Sequence, residues 1–304
     1  MIREDSPAAA SLAASGSPAL SPAFDSPALI PLSACIISAM PEEMEPMRAL
    51  LANLGAAARE LPSPIGTLTL ITFPAPAADS TLSLELHRSE LYSSEPHNQS
   101  ANASGTTPAP EAVLLAVTGI GFTATASCLG WILAHFSPEA IVSIGSAGGL
   151  SPDSRVRDVV LGTRYRDGFA DGTNFGYVRG QVPGQPEYFS ADPALLAAGA
   201  LVALNDDAID IRTAEMLSSD TFVTDVNVGD IREAFPAAVS ADMESYPAAH
   251  VAHQWGIPFL SVRAISDLCS TPEDQTASFH AELAEVAGIS AHVALATLRQ
   301  AEVL

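Results

Sequence analysis

Short apolar runs rich in branched residues recur along the chain: CIISAM at 35–40, IGTLTLITF at 65–73, AVLLAV at 112–117, AIVSIG at 140–145 and VVLGT at 159–163. MLSSDTFV at 216–223, AVSADM at 238–243 and PFLSVRAI at 258–265 continue the series. Between them apolar residues return at helical spacing, as Met44, Met47, Leu50, Leu51 and Leu54 do, and as residues of 122–136, 244–255 and 279–300 do. Strands alternating with helices predict one α/β domain with a mostly parallel or mixed sheet.

Two stretches break the pattern. Residues 1–32 contain four Ser-Pro-Ala triplets, and proline at that spacing forbids regular structure, so a disordered extension is expected. Residues 74–110, with HNQSANASGTTPAPE, interrupt the strand signals and read as a surface insertion. Asn98 and Asn102 sit there in Asn-X-Ser triplets, which matter only in a secretory pathway. The domain is placed at 33–304, large enough for a full core.

Charge narrows the functional classes. With 13 basic and 35 acidic side chains, the net charge of −22 opposes binding to nucleic acid or an anionic membrane through a general field. A small, locally recognised ligand fits better. Cys35, Cys128 and Cys269 are far apart and each adjoins an apolar segment, which predicts buried free thiols in a reducing compartment. No run approaches 18 uninterrupted apolar residues, and Arg3, Glu4 and Asp5 replace a signal core, so a cytoplasmic protein is expected.

The chemistry gathers at strand ends. PFLSVRAISD (258–267) carries Arg263 inside an apolar strand and delivers Ser266 and Asp267 at its carboxyl end, where α/β sheets hold ligands. A buried arginine requires an anion, and Glu43 and Glu244 are the candidates. Glu43 stands with Glu42 and Glu45 at a strand-to-helix junction, where acids also meet the positive end of a helix. Glu244 follows another strand in ADMES and could accept two hydroxyl hydrogen bonds. The glycines of Thr118–Gly121 and Gly145–Gly149 read as loops after strands; neither has the spacing of a dinucleotide or triphosphate site. His250 and His253 lack a third ligand nearby, so packing is preferred to metal, and no cofactor is called for. Phe222 closes a strand, where it could pack in the core or stack on a planar base. Neither GxSxG nor a cysteine with a local base indicates covalent catalysis.

Taken in order, AMPEEMEPM, TGIG, GSAGGL, TNFGYVRGQVPG, SSDTFV, ADMES and VRAISD resemble the 5′-methylthioadenosine/S-adenosylhomocysteine nucleosidases of the nucleoside phosphorylase superfamily, over about residues 34–300. The resemblance implies a single three-layer α/β/α domain with a mixed central sheet. It also implies hydrolysis of the N-ribosyl bond, with a small nucleoside and water as the only partners besides a second copy of the chain. By it Asp267 protonates adenine N7, Glu43 activates water near Ser146, Arg263 and Glu244, and Glu244 accepts the ribose hydroxyls. Met243 lines the sugar, Phe222 stacks on adenine, the Val223 backbone reads its edge and Ser266 orients Asp267. Phe279 covers the ribose and alkylthio side, and Phe175 enters a neighbouring subunit's pocket in a homodimer. Cleavage places positive charge on the sugar and negative charge on the base, so a proton donor on one side and carboxylates on the other suit it. A phosphorylase of this superfamily would need arginines in the first motif and beside the glycine loop, where this chain has Pro41, Glu42, Glu43 and Ser143. Pro41, Arg166, His280 and two extra residues between Asp267 and Phe279 depart from the family pattern. The competing readings are a futalosine hydrolase-like enzyme, a purine nucleoside phosphorylase and a non-catalytic nucleoside-binding relative.

Overall fold

The computed structural model describes residues 28–74, 112–204, 206, 208–269 and 275–304. In chain order the elements are β1 (Ile30–Ser38), α1 (Pro41–Asn53), β2 (Ala57–Leu61), β3 (Thr67–Thr72), β4 (Ala112–Val117), α2 (Phe122–Leu133) and β5 (Phe136–Gly149). Then come β6 (Val159–Asp167), a 3-10 turn (Thr173–Phe175), β7 (Phe189–Ser190), α3 (Pro193–Ala200), β8 (Ile211–Ser218) and α4 (Val228–Ala234). β9 (Ala238–Asp242), α5 (Ser245–Trp255), β10 (Phe259–Leu268) and α6 (Gln275–Gln300) complete the series.

The strands form one mixed sheet in the order β10-β6-β8-β9-β5-β1-β4-β3-β2, with β7 beside β6. β4, β1, β5 and β10 run parallel, and their side chains are almost all buried, as expected of strands covered on both faces. Helices α1, α3 and α6 pack together on one side, while α2 and α5 pack together on the other. The mixed-sheet, three-layer expectation is met. One half of the sheet also closes on itself: β5 pairs with β10 in parallel and with β9 antiparallel at Gly148 and Gly149, so β5, β10, β6, β8 and β9 form a ring. The carboxyl ends of β5, β8, β9 and β10 meet at one rim of that ring.

Several sequence expectations shift. β1 begins at Ile30, opposite Phe136, so residues 30–32 belong to the sheet and not to the extension; residues 1–27 lie outside the described residues. The insertion, but for Pro74, also lies outside them. Gly145–Gly149 is not a loop: β5 runs through it, because β10 and β9 supply backbone partners on both sides. β8 ends at Ser218, five residues before the predicted end, and residues 219–223 leave the sheet. Residues 279–300 of α6 are long and apolar enough to cross a bilayer, but half of that window is buried against the fold, as in a core helix.

Candidate active site

At the closed rim lies a cavity of about 350 Å³, lined from every strand that ends there. β1 leads into Met40 and Glu43, β5 carries Ser146 and Gly148, and β10 carries Ser266 and Asp267. The segment after β8 contributes Phe222 and Val223, the one after β9 contributes Met243 and Glu244, and the start of α6 contributes Phe279 and His280. Nine of the predicted residues therefore face one space, while Arg263 lies buried beside it and Phe175 does not line it.

Glu43 is buried near the start of α1, with its two oxygens doing different work. Oε2 accepts from the backbone N–H groups of Ala39 and Met40, both at 3.2 Å, which closes the helix end as a first-turn acid should. Oε1 accepts from the Ser146 backbone N–H and from its Oγ, both at 2.9 Å. One carboxylate thus closes the helix end with one oxygen and meets Ser146 at the cavity wall with the other. The close approach depends on Gly145, at φ +149°: a Cβ there would stand 2.5 Å from Arg263 Nη1 and 2.6 Å from Glu43 Oε1.

Arg263 is 1% exposed. Of its two expected partners Glu244 is confirmed, with Oε2 at 3.5 Å from Nη2, but the nearer anion is Asp242, whose Oδ2 lies 3.2 Å from Nε. Glu43 is not among its ion pairs, because Ser146 and the helix end take its oxygens. Asp242 ends β9, two residues before Glu244 in the same acidic segment, and that place at a strand end is the signal in the sequence for it. Ser143 Oγ accepts from Nη2 at 3.0 Å. Burial works against the guanidinium charge, but Asp242, Glu244 and Glu43 outweigh it and hold Arg263 charged. Burial pushes the Glu244 carboxyl up to about 7, opposed by Arg263, reinforced by Asp242 and Glu43, and opposed again by the Gly121 N–H. That N–H donates to Glu244 Oε1 at 3.0 Å, and the next, of Phe122, donates to Asp220 Oδ1 at 2.8 Å. Carboxylates therefore occupy the amino end of α2.

Asp267 is buried, and Ser266 Oγ donates to its Oδ1 at 2.8 Å. A bulge between Ile265 and Asp267 lets β10 keep pairing with β5 while it turns this end toward the cavity. Phe222 is 47% exposed on the segment after β8, so its ring is a cavity wall and not a strand core residue. Val223 is buried against Leu217, Val228 and Cys269 in a small apolar cluster behind it. Cys35, Cys128 and Cys269 are all buried free thiols, as expected. His250 and His253 are in ring contact with Phe189, away from the cavity. Among the described residues no group of three or more His, Cys, Asp or Glu side chains is placed to hold a metal ion. Phe175 is 82% exposed on its 3-10 turn.

A family model described as "Phosphorylase superfamily" matches residues 82–299. Among solved structures, the chain is similar to a 5′-methylthioadenosine/S-adenosylhomocysteine nucleosidase from Neisseria meningitidis in complex with methylthio-immucillin-A. The identity is 27%, with 90% of this chain and 99% of that one covered, at a TM-score of 0.69. An S-adenosylhomocysteine nucleosidase from Streptococcus pyogenes in complex with 5-methylthiotubericidin is 26% identical, with 90% and 97% covered and a TM-score of 0.69. The futalosine hydrolase of Helicobacter pylori shares the fold at 20% identity, with 89% and 98% covered and a TM-score of 0.69.

Proposed function

We propose, from the premise that this chain belongs to the phosphorylase superfamily, that it hydrolyses the N-ribosyl bond of 5′-methylthioadenosine and S-adenosylhomocysteine to release adenine. The observation that carries the reading is the placement of Glu43, Glu244 and Asp267 around one cavity, each aimed by a separate set of donors. A purine between Phe222 and Asp267 and a sugar over Met243 and Glu244 would fit this distribution.

The chemistry then follows. Asp267 gives its proton to adenine N7 as the C1′–N9 bond breaks, so the bonding pair leaves on a neutral base. Positive charge grows on the ribose, where the carboxylates of Glu43 and Glu244 oppose it in a dry setting. Glu43 takes a proton from water as its oxygen bonds to C1′, and the proton lost by Asp267 is balanced by the one gained at Glu43. Ser146 holds Glu43 through two bonds and so fixes the direction of attack.

Water is favoured over phosphate as the nucleophile. The N–H of Ser146, on the cavity wall, and the N–H of Gly121, next to the lining residue Ile120, both donate to carboxylates, so neither is left for a dianion. Arg263 is likewise engaged by Asp242 and Glu244. A phosphate would have to displace buried negative charge, at a cost of several kcal/mol. The exposed ring of Phe175 suits insertion into a second copy, which supports a homodimer. The buried free thiols fit a reducing cytoplasm, and turnover of these two thioether nucleosides would give the activity a part in methionine salvage. The test is release of the free base, adenine from methylthioadenosine and adenosylhomocysteine and hypoxanthine from futalosine and inosine in parallel, with and without phosphate. Release that requires phosphate, or that occurs only from futalosine or inosine, would reject the reading.

A further inference from the structure

We propose that Asp242 is a positioning residue of this site: it grips Arg263 by the Nε edge, so that the guanidinium is shared unequally between two carboxylates and Glu244, the more loosely held of the two, stays aimed into the cavity. The proposal rests on the nucleosidase reading for what Glu244 does to a sugar, but not for the geometry of the cluster.

The two carboxylates differ in their surroundings. Asp242 Oδ1 accepts from Ser218 Oγ at 2.5 Å and from the backbone N–H groups of Glu244 at 3.1 Å and Ser245 at 3.0 Å. Its Oδ2 accepts from Ser245 Oγ and faces Arg263 Nε at 3.2 Å. Glu244 has the Gly121 N–H on one oxygen and Arg263 Nη2, at 3.5 Å, on the other. The arginine is anchored elsewhere as well: Nη2 also donates to Ser143 Oγ, and Nη1 is directed at the carbonyls of Ile144 and Ser146. The cation therefore cannot swing toward Glu244 without breaking the Asp242 contact.

Four elements face Glu244. They bring Arg263 from β10, Asp242 from the end of β9, Glu43 from α1 and the Gly121 N–H at the start of α2, while Tyr165 on β6 lies close to Arg263 and Asp242. The upward displacement of the Glu244 carboxyl comes first from burial and then from Asp242 and Glu43, against the pull of Arg263. Asp242 acts twice over, by its own charge and by holding the arginine. A purely structural Asp242, one that only closes the start of α5, would alter stability and leave this titration where it is.

The test follows the Glu244 carboxyl carbon by NMR in protein carrying carbon-13-labelled glutamate, the signal being assigned by its loss in Glu244→Gln. In the unaltered protein the signal is expected to titrate near neutrality; titration in the ordinary carboxylate range overturns the proposal. In Asp242→Asn the acceptor oxygen for Ser218 and the α5 amides is kept and the charge is gone, so the midpoint is expected to fall by roughly one pH unit or more. The acidic limb of kcat/KM for adenine release, where Glu244 must be ionised to accept hydroxyls, is expected to move the same way. An unmoved midpoint in folded Asp242→Asn overturns the proposal. Asp242→Ser, which keeps a short oxygen for the same amides, is the second charge-free variant should Asn fail to fold, with the same expectation. Absence of turnover in the unaltered protein would reject the nucleosidase reading, while the carboxyl titration would still decide the role of Asp242.

Discussion

Replacing Gly145 by alanine tests whether the contact between β5, α1 and β10 is as tight as the structure makes it. A Cβ at this position would meet Arg263 Nη1 at 2.5 Å, Glu43 Oε1 at 2.6 Å and Glu43 Cδ at 2.9 Å, all inside ordinary contact. Neither group can retreat easily, since Glu43 accepts four hydrogen bonds and Arg263 is bound by two carboxylates and several oxygens. The backbone, at φ +149°, adds its own penalty for any residue with a Cβ. Backbone strain of roughly 1–3 kcal/mol, together with about 3 kcal/mol for disturbing a buried charge cluster, gives a loss on the order of 4–6 kcal/mol. At about 2–4 °C per kcal/mol, the melting temperature is expected to fall by roughly 10 °C or more. A displaced Glu43 should also lower kcat/KM for adenine release by about 100-fold or more. Gly55→Ala is the control, because Gly55 has a positive φ of +80° but nothing within 4 Å of a new Cβ. Thermal melts and initial rates on both variants decide the matter. A Gly145→Ala protein no less stable than Gly55→Ala and of near-normal activity would mean that β5, α1 and β10 are not in tight contact at this point.

Three further outcomes are expected. Ser146→Ala removes one of the two Ser146 donors to Glu43 and keeps the other, so kcat should fall by a factor equivalent to about 1.5–3 kcal/mol with KM little changed; an unchanged kcat in steady-state assays would dismiss that contact. Burial pushes the Glu244 carboxyl up to about 7 in the folded protein from 4.5 ordinarily, so between those values the native state should hold a proton that the unfolded chain has released. Stability should therefore decline through that window as pH rises, and Glu244→Gln should remove that part of the slope, which melts across the range would reveal or fail to reveal. Sedimentation of the unaltered protein should give a dimer, and Phe175→Ala should raise KM for the thioether substrates; a monomer with full activity would contradict the role given to Phe175.

The fold was legible where burial imposes a period, and obscure where it does not. β1, β4 and β10 are apolar on both faces and stand out as runs, whereas β2, Ala57–Leu61, is an exposed edge strand and β7 is two residues long, so neither leaves a pattern. α3 did carry a signal, Asp192 before Pro193, with the Asp192 carboxylate accepting from the Ala194 and Leu195 amides, but eight mostly small residues show little periodicity. Gly145–Gly149 looked like a loop because glycines usually break strands; here they continue β5 because β9 and β10 approach its backbone closely. At the site, the rule that a buried arginine meets an anion holds for Arg263, but the sequence points to Glu43 and Glu244 and does not rank Asp242 beside them. Ranking needed the tertiary course of β9, which brings Asp242 nearer to Arg263 than either Glu43 or Glu244.

In the proposed reaction Asp267 supplies the proton that lets adenine depart from a cavity it shares with Glu43. That transfer is tested most directly by Asp267→Asn, which keeps the acceptor that Ser266 Oγ addresses and removes the transferable proton. Single-turnover release of adenine from methylthioadenosine should drop by a factor of about 100 to 10,000, with binding of adenine by calorimetry and the melting temperature retained. Release at near-normal rate from a correctly folded Asp267→Asn protein would contradict the account.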